Sequence, residues 1–359
     1  MNKKLSVPIL EVARFNHLAW RDKVKDYFLG LTQSDPEFVN HTQCKLGKWL
    51  HGPESTHFKE LTIFKELTEV HQTMHETVPV IVEAKKARNI KLYESEFRTF
   101  VALADLVVAR IEILDMEIQK LEFSESLMLA RRFQNGICAE QDNLSSLFKF
   151  QGKIDRPLNI VSGDMLWSSY QAESHFIVLI DAVGHGISAS MLTTTLATIL
   201  LGTFSINHET DLMHFQQTVD KFFFQNFKKI VEKEKISFDF TMLKINPSKS
   251  NIEVLSNNNR LISLKSDKWG YIQLENSGSF KTACFNYEPG QQIAIYTDGL
   301  KDLLIEESKK LGDKGILNFL DDYAGLNAVK LTEHFSKFID SHIQEFGQLD
   351  DILFFCGQL

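Results

Sequence analysis

Residues 94–134 contain no glycine and no proline, and this constrains the fold more than any other feature of the chain. Their apolar positions follow a seven-residue repeat. One seam runs Phe97, Ala104, Ile111, Ile118 and Glu125; the other runs Phe100, Val107, Leu114, Leu121 and Met128. Only Glu125 is polar. The pattern predicts a long helix that either pairs with another helix or forms the core of a bundle. Regions of different texture lie on either side, so a multidomain chain is expected.

Residues 1–90 read as helical, with polar breaks at "QSDPE" and "HGPES". From about residue 141 the texture changes to short apolar runs between turns. Examples are "HFIVLIDA", "FDFTMLKI", "NIEVLS", "RLISLK", "YIQLE", "QQIAIYTDG" and "DILFFCG". Two stretches between them read as helical, "SASMLTTTLATILLGTF" and "DLMHFQQTVDKFFFQNFKKIVEK". Strands in series with an inserted helical block predict an α+β sandwich rather than a regular βαβ repeat. The expected divisions are residues 1–90, a helical bundle; 91–140, a linker helix; and 141–359, the sandwich.

Composition removes some functions. A net charge of −8 with no long basic run argues against nucleic acid as a partner. The start "MNKKLSVPILEVAR" has too short an apolar run for a signal peptide. No membrane span is expected; "FVALADLVVARIEIL" is broken by Asp105, Arg110 and Glu112. A cytoplasmic chain is expected. There Cys44, Cys138, Cys284 and Cys356 would stay reduced, and any special cysteine would bind metal or sense oxidants.

Half of the twelve histidines lie before residue 85. His71 and His75, four apart in a helical stretch, point to one face. Cys44 in "QCKLGKWLHG" adds a thiolate whose charge Lys45 and Lys48 should favour. His17 in "FNHLAW" is a fourth candidate. Three nitrogens and a sulfur suit a closed, tetrahedral zinc site. The motif Cys44-x-Leu46-Gly47-x-Trp49-Leu50, with a histidine upstream and His-x-x-x-His downstream, resembles the chemoreceptor zinc-binding family over residues 12–85. The resemblance implies zinc on His17, Cys44, His71 and His75. It also implies a small helical bundle, often dimeric, whose cysteine answers to zinc level or to oxidants such as hypochlorous acid. His41, His51 and His57 have no place in the pattern and read as surface residues.

A second set of candidates sits where strands meet loops: Asp164 in "NIVSGDMLW", Asp181 in "VLIDAVGHG", Asp298 in "IAIYTDGL", and Asp350 with Asp351 in "GQLDDILFF". Carboxylates drawn together repel unless cations lie between them, and oxygen ligands suit manganese or magnesium. Four ordered motifs resemble the SpoIIE branch of the metal-dependent (PPM, protein phosphatase 2C-like) serine/threonine phosphatases. They are "PLNIVSGD" ending at Asp164, "DAVGHG" starting at Asp181, "YTDG" around Asp298, and Asp350-Asp351-Ile352. The resemblance spans about residues 141–359. It implies a β-sandwich flanked by helices, with two manganese or magnesium ions held by Asp164, Asp181, the Ala182 carbonyl, Asp298 and Asp350. Asp350 is preferred to Asp351 because the family ligand is the first of the pair. His185 reads as a turn residue rather than a general acid.

Two departures stand out. Leu353 occupies a position where the family usually has threonine, and "SNNNR", residues 256–260, replaces the usual Asn-Ala-Gly-His loop. The resemblance implies a phosphatase acting on a phosphoprotein such as a STAS-domain anti-sigma-factor antagonist, and working as a homodimer under zinc or redox control. The rival reading is a catalytically weak zinc-sensing scaffold that binds a regulatory partner.

Overall fold

The computed structural model describes residues 6–32, 40–137, 144–206, 211–219, 221, 237–258, 260–277 and 280–359. They form two compact units, Met1–Glu125 and Ser126–Leu359. The first polar break, Cys138, Asn259 and most of the second predicted helix beyond Val219 lie outside the described residues.

The first unit is a helical bundle. It contains α1 (Ser6–Phe28), the short α2 (Lys45–Leu50), α3 (Thr62–Lys86) and most of α4 (Ile90–Ile137). Its core joins Leu10, Ala13 and Val24 of α1 to Leu46, Trp49 and Leu50 of α2 and Leu67, Met74, Val78 and Ile81 of α3. Phe100, Ala104, Val107, Ile111, Leu114 and Ile118 of α4 complete it. Each large side chain buried here contributes about 1.5–3 kcal/mol. Up to Ile118, then, the heptad seam serves this intrachain core. Further along, Leu121 is 43% and Met128 52% exposed.

The second unit is the expected sandwich flanked by helices. One sheet has the order β1 (Phe150–Arg156), β13 (Ile352–Gln358), β10 (Gln292–Tyr296), β6 (Leu261–Lys265), β7 (Lys268–Tyr271). The other runs β2 (Asp164–Gln171), β3 (Ser174–Ala182), β4 (Phe238–Asn246), β5 (Asn251–Ser256), β9 (Phe280–Asn286), β8 (Glu275–Ser277). All pairings are antiparallel. Side-chain alternation builds the layers. On β13, Leu353 and Phe355 face the core between the sheets, while Ile352, Phe354 and Cys356 face the outer helices. α5 (Ile187–Leu200) and α6 (Leu212–Val219) cover the outside of the β2–β8 sheet. Three helices follow β10: the short α7 (Asp298–Lys301), then α8 (Gly312–Asp322) and α9 (Ala328–Phe346), of which α8 and α9 cover the outside of the other sheet.

One apolar helix bears on the expectation of no membrane span. Ile187–Phe204 is an uncharged 18-residue stretch with mean hydropathy 1.5, long and apolar enough by composition to cross a membrane. Here it packs on β2 and β3 through Leu196, Ala197, Leu200 and Phe204, as a core helix does. Serine and threonine interrupt its aliphatic run.

Candidate metal centres

In the first unit, His17, Cys44, His71 and His75 each bring one ligand atom within 4.8 Å of the others. Local structure places each atom. Cys44 caps the N-terminus of α2, its sulfur accepting the Gly47 N–H at 3.2 Å. His71 and His75 share one face of α3. The His17 ring nitrogen Nδ1 lies 2.8 Å from the Ala13 carbonyl. A carbonyl only accepts, so Nδ1 carries the proton and Nε2 turns a lone pair inward. His17 Nε2 and His71 Nε2 are 3.1 Å apart, and Cys44 Sγ lies 3.9 Å and 3.2 Å from them. The His75 ring stacks on Trp20, with centroids 4.5 Å apart.

Burial keeps His17 and His71 neutral. It lowers the His17 pKa and, with the neighbouring imidazoles, brings His71 down to about 2. The cysteine expectation is corrected. Lys48 does draw the Cys44 thiol toward ionisation, but burial outweighs it and raises the thiol pKa. Without a cation the sulfur is therefore a thiol. Converging lone pairs on neutral imidazoles beside a buried thiol fit a zinc ion. His51 and His57 are exposed and His41 is half-buried; none of them joins the cluster.

In the second unit the sheet register gathers the carboxylates. Asp164 on β2 lies opposite Asp181 on β3, and Asp181 lies opposite Asp239 on β4. Like charges placed directly across strands are unfavourable, so such a row needs a positive partner. Asp298 enters from the end of β10, and its backbone N–H donates to Asp181 Oδ2 at 3.2 Å. Oxygens of Asp181, Asp239 and Asp298 all lie within 4.8 Å of one another. Asp239 is absent from the sequence candidates. It lies between two phenylalanines, without the adjacent glycine that accompanies Asp164 and Asp298.

Asp164 stands beside this trio, not within it, and its Oδ2 accepts the Thr297 hydroxyl at 2.6 Å. Ala182, which follows Asp181, is buried and donates its N–H to the Gly163 carbonyl at 3.2 Å. Asp350 also lies outside the trio and is half-buried at the rim. Asp351, by contrast, is buried and accepts the backbone N–H groups of Leu158 at 2.6 Å and Gly163 at 2.7 Å. It anchors the loop before Asp164. The Asp298–Gly299 turn lies against this same segment: a Cβ on Gly299 would stand 1.9 Å from the Asp351 carbonyl oxygen. His185 is exposed and accepts from Asn159 Nδ2 at 3.1 Å. Its loop turns at Gly184 and Gly186, with φ of 87° and 77°, which only glycine adopts without strain.

Both family departures find a structural meaning. The Leu353 side chain enters the inter-sheet core, and its backbone N–H donates to Thr297 Oγ1 at 2.9 Å whatever the side chain. The altered loop delivers Arg260 into the trio. Nη1 reaches Asp181 Oδ2 at 2.6 Å; Nη2 reaches Asp239 Oδ2 at 2.7 Å and Asp298 Oδ2 at 3.3 Å. Burial and Asp298 still push the Asp181 pKa up to about 7 despite this arginine, and burial with Asp181 raises Asp164. The donor set is all oxygen and incompletely neutralised, which fits hard divalent cations.

Residues 171–359 match the family model of stage II sporulation protein E (SpoIIE). That is just over half of the chain. The chain belongs to the SpoIIE family. Residues 17–82 match the chemoreceptor zinc-binding domain (CZB). No curated protein matches this SpoIIE-family chain in sequence. Among solved structures, the SiaA-PP2C domain of Pseudomonas aeruginosa superposes with a TM-score of 0.60 at 17% identity, covering 67% of this chain and 98% of that one. It establishes the shared fold. The RsbU and RsbW domains of Rv1364c from Mycobacterium tuberculosis reach 0.47 at 19% identity, covering 58% and 59%. The catalytic domain of the serine/threonine phosphatase PstP, solved with two manganese ions, reaches 0.40 at 13% identity, covering 58% and 98%.

Proposed function

We propose that this SpoIIE-family chain is a metal-dependent serine/threonine phosphoprotein phosphatase under zinc or redox control from its CZB domain. The observation that carries the reading is the convergence of Asp181, Asp239 and Asp298 from three separate elements, with too little positive charge among them. Asp164, Asp181 with the Ala182 carbonyl, Asp298 and Asp350 are the proposed ligands of two manganese or magnesium ions, and Asp239 joins them. Bound there, such ions supply an activated water and offset phosphoryl charge. The protein's own groups hold the ligands. Thr297 orients Asp164, Asp351 ties down the Gly163 loop, and the Asp298 N–H fixes one oxygen of Asp181. No protein nucleophile is required. The test is phosphate release from a phosphoserine peptide with manganese, comparing the intact chain with Asp181→Asn; equal rates would end the enzyme reading.

Control is proposed to run along α4 into α5. Within the second unit, the last turns of α4 hold the catalytic edge. Gln134 is buried, donates to the Ser162 carbonyl at 2.9 Å, and accepts the Ser162 N–H at 3.3 Å. It also reaches the Ser190 carbonyl on α5 at 3.4 Å. Arg131 pairs with both oxygens of Asp155 at 3.2 Å. A change in α4 would reach Asp164 through two residues of chain. Leu121, Met128, Leu129 and Phe133 are exposed on the same helix, which supports pairing with a second copy. A STAS-domain anti-sigma-factor antagonist as substrate follows from the family resemblance, and a cytoplasmic setting is proposed from the composition. A weakly active scaffold draws support from one observation only: Arg260 already occupies the trio.

A further inference from the structure

Arg260 stands where three carboxylates converge, and its guanidinium pairs with all three. Its side chain is only 12% exposed. The carboxylate oxygens it contacts, Oδ2 of Asp181, Asp239 and Asp298, are each within 3.3 Å of a guanidinium nitrogen. Asp181 Oδ2 is already doubly engaged, by Nη1 at 2.6 Å and by the Asp298 N–H at 3.2 Å.

The loop is built to deliver this side chain. Asn257 donates to the Phe238 carbonyl at 2.7 Å and accepts the Phe240 N–H at 2.8 Å, clamping both sides of Asp239. Asn258 accepts from Thr241 at 3.0 Å and from the Arg260 backbone N–H at 3.1 Å. The Arg260 backbone is thus tied to the strand that carries Asp239, and its planar fork has the reach to bridge separate carboxylates.

An arginine serving only as an ion-pair partner would be balanced by its neighbours. Here three carboxylates face one guanidinium. A metal ion bound to Asp181 Oδ2 would compete for the same lone pairs and would repel the guanidinium at contact distance. We propose that Arg260 is a tethered cation that holds the Asp181–Asp239–Asp298 cluster closed and must swing out before a divalent metal ion binds. Arg260 is then a positioning residue that sets how much metal the site demands. Apparent metal affinity is the intrinsic affinity multiplied by the fraction of molecules in which the arginine is out. The inference rests on the metal-dependent reading above.

The experiment is a calorimetric Mn²⁺ titration of the zinc-loaded full-length chain and of Arg260→Gln, with thermal melts of each with and without Mn²⁺. Removing the competitor should tighten Mn²⁺ binding by about tenfold or more. Without Mn²⁺ the variant should melt lower than the wild type, because its carboxylates are unneutralised, and its gain on adding Mn²⁺ should be larger. Arg260→Lys keeps the charge but cannot bridge three carboxylates; it should bind Mn²⁺ more tightly than wild type and serves if the glutamine variant does not fold. Equal or weaker Mn²⁺ binding by a folded variant overturns the inference and leaves the phosphatase reading standing. Absence of Mn²⁺ binding by wild type and folded variants alike overturns both.

Discussion

The zinc-type cluster of the first unit is neutral as it stands, whereas the carboxylate cluster of the second holds uncompensated charge. His71 is pushed down to about 2 by burial and by the neighbouring imidazoles, and burial pushes the Cys44 thiol up, so both stand uncharged without an ion. Asp181 is pushed up to about 7 with a guanidinium already against it. The difference follows from ligand chemistry. Imidazole and thiol lose little when buried without a metal, because their neutral forms are accessible near pH 7. Carboxylates have no such neutral form at that pH unless the surroundings force it. The first cluster can therefore lose its ion without a substitute cation, while the second needs Arg260.

The largest expected effect breaks the charged side of this comparison. Asp181→Asn removes a carboxylate that lies directly across the sheet from both Asp164 and Asp239. Loss of even an outer partner of a metal ligand costs about 10- to 100-fold, so phosphate release with manganese should fall by about 100-fold or more. The neutral side is tested next. Cys44→Ser should weaken zinc binding by about 100-fold in a competition assay with a chelating dye, from a stoichiometry of about one ion per chain. An unchanged affinity would remove Cys44 from the ligand set. The neutral state also has a pH signature. Cys44 is protonated without metal and His71 is not, so zinc uptake near pH 7 should release one proton, from the thiol. Affinity should then rise by about tenfold per pH unit between pH 6 and 8, and calorimetry in buffers of different ionisation enthalpy would count the proton.

The two clusters also differ in how much of them the sequence discloses. His71 and His75 are one helical turn apart, and helix geometry alone puts them on one face. Asp181 and Asp298 stand out because each ends an apolar run beside glycines. Asp239 needs the register Asp181↔Asp239, a pairing between strands separated by a helical insertion, and no local pattern encodes it. Arg260 was legible only as a departure. Its place in the trio depends on clamps from Asn257 and Asn258 onto β4, which are tertiary contacts. The alternation of apolar runs was enough to indicate a sandwich. The heptad repeat could not say which helices it meets, because a bundle core and a paired helix show the same seven-residue pattern. In the structure the repeat divides near Ile118, buried before it and exposed after.

A smaller effect sharpens the charged side. Gly299→Ala puts a methyl group within 1.9 Å of the Asp351 carbonyl oxygen, on the turn that carries Asp298. Overpacking of this kind costs about 1–3 kcal/mol, seen as a lower midpoint in chemical denaturation, and should reduce manganese binding with it. An unchanged midpoint would show that the Asp298 turn has room to move away from Asp351.

An effect on stability of similar size is expected at the join between helix and site. Gln134→Ala leaves the Ser162 N–H and carbonyl without their buried side-chain partner, at a cost of about 1–3 kcal/mol. Its functional consequence should exceed its structural one. If α4 passes the state of the zinc cluster to Asp164 through Ser162, the variant should keep measurable manganese-dependent phosphatase activity but lose the difference between zinc-loaded and zinc-stripped protein. A variant that responds to zinc as wild type does would mean that Gln134 only fastens the helix. Any coupling would then have to travel by another route, such as pairing of the exposed face of α4 with a second copy, and sedimentation of the zinc-loaded and zinc-stripped chains would report on that directly.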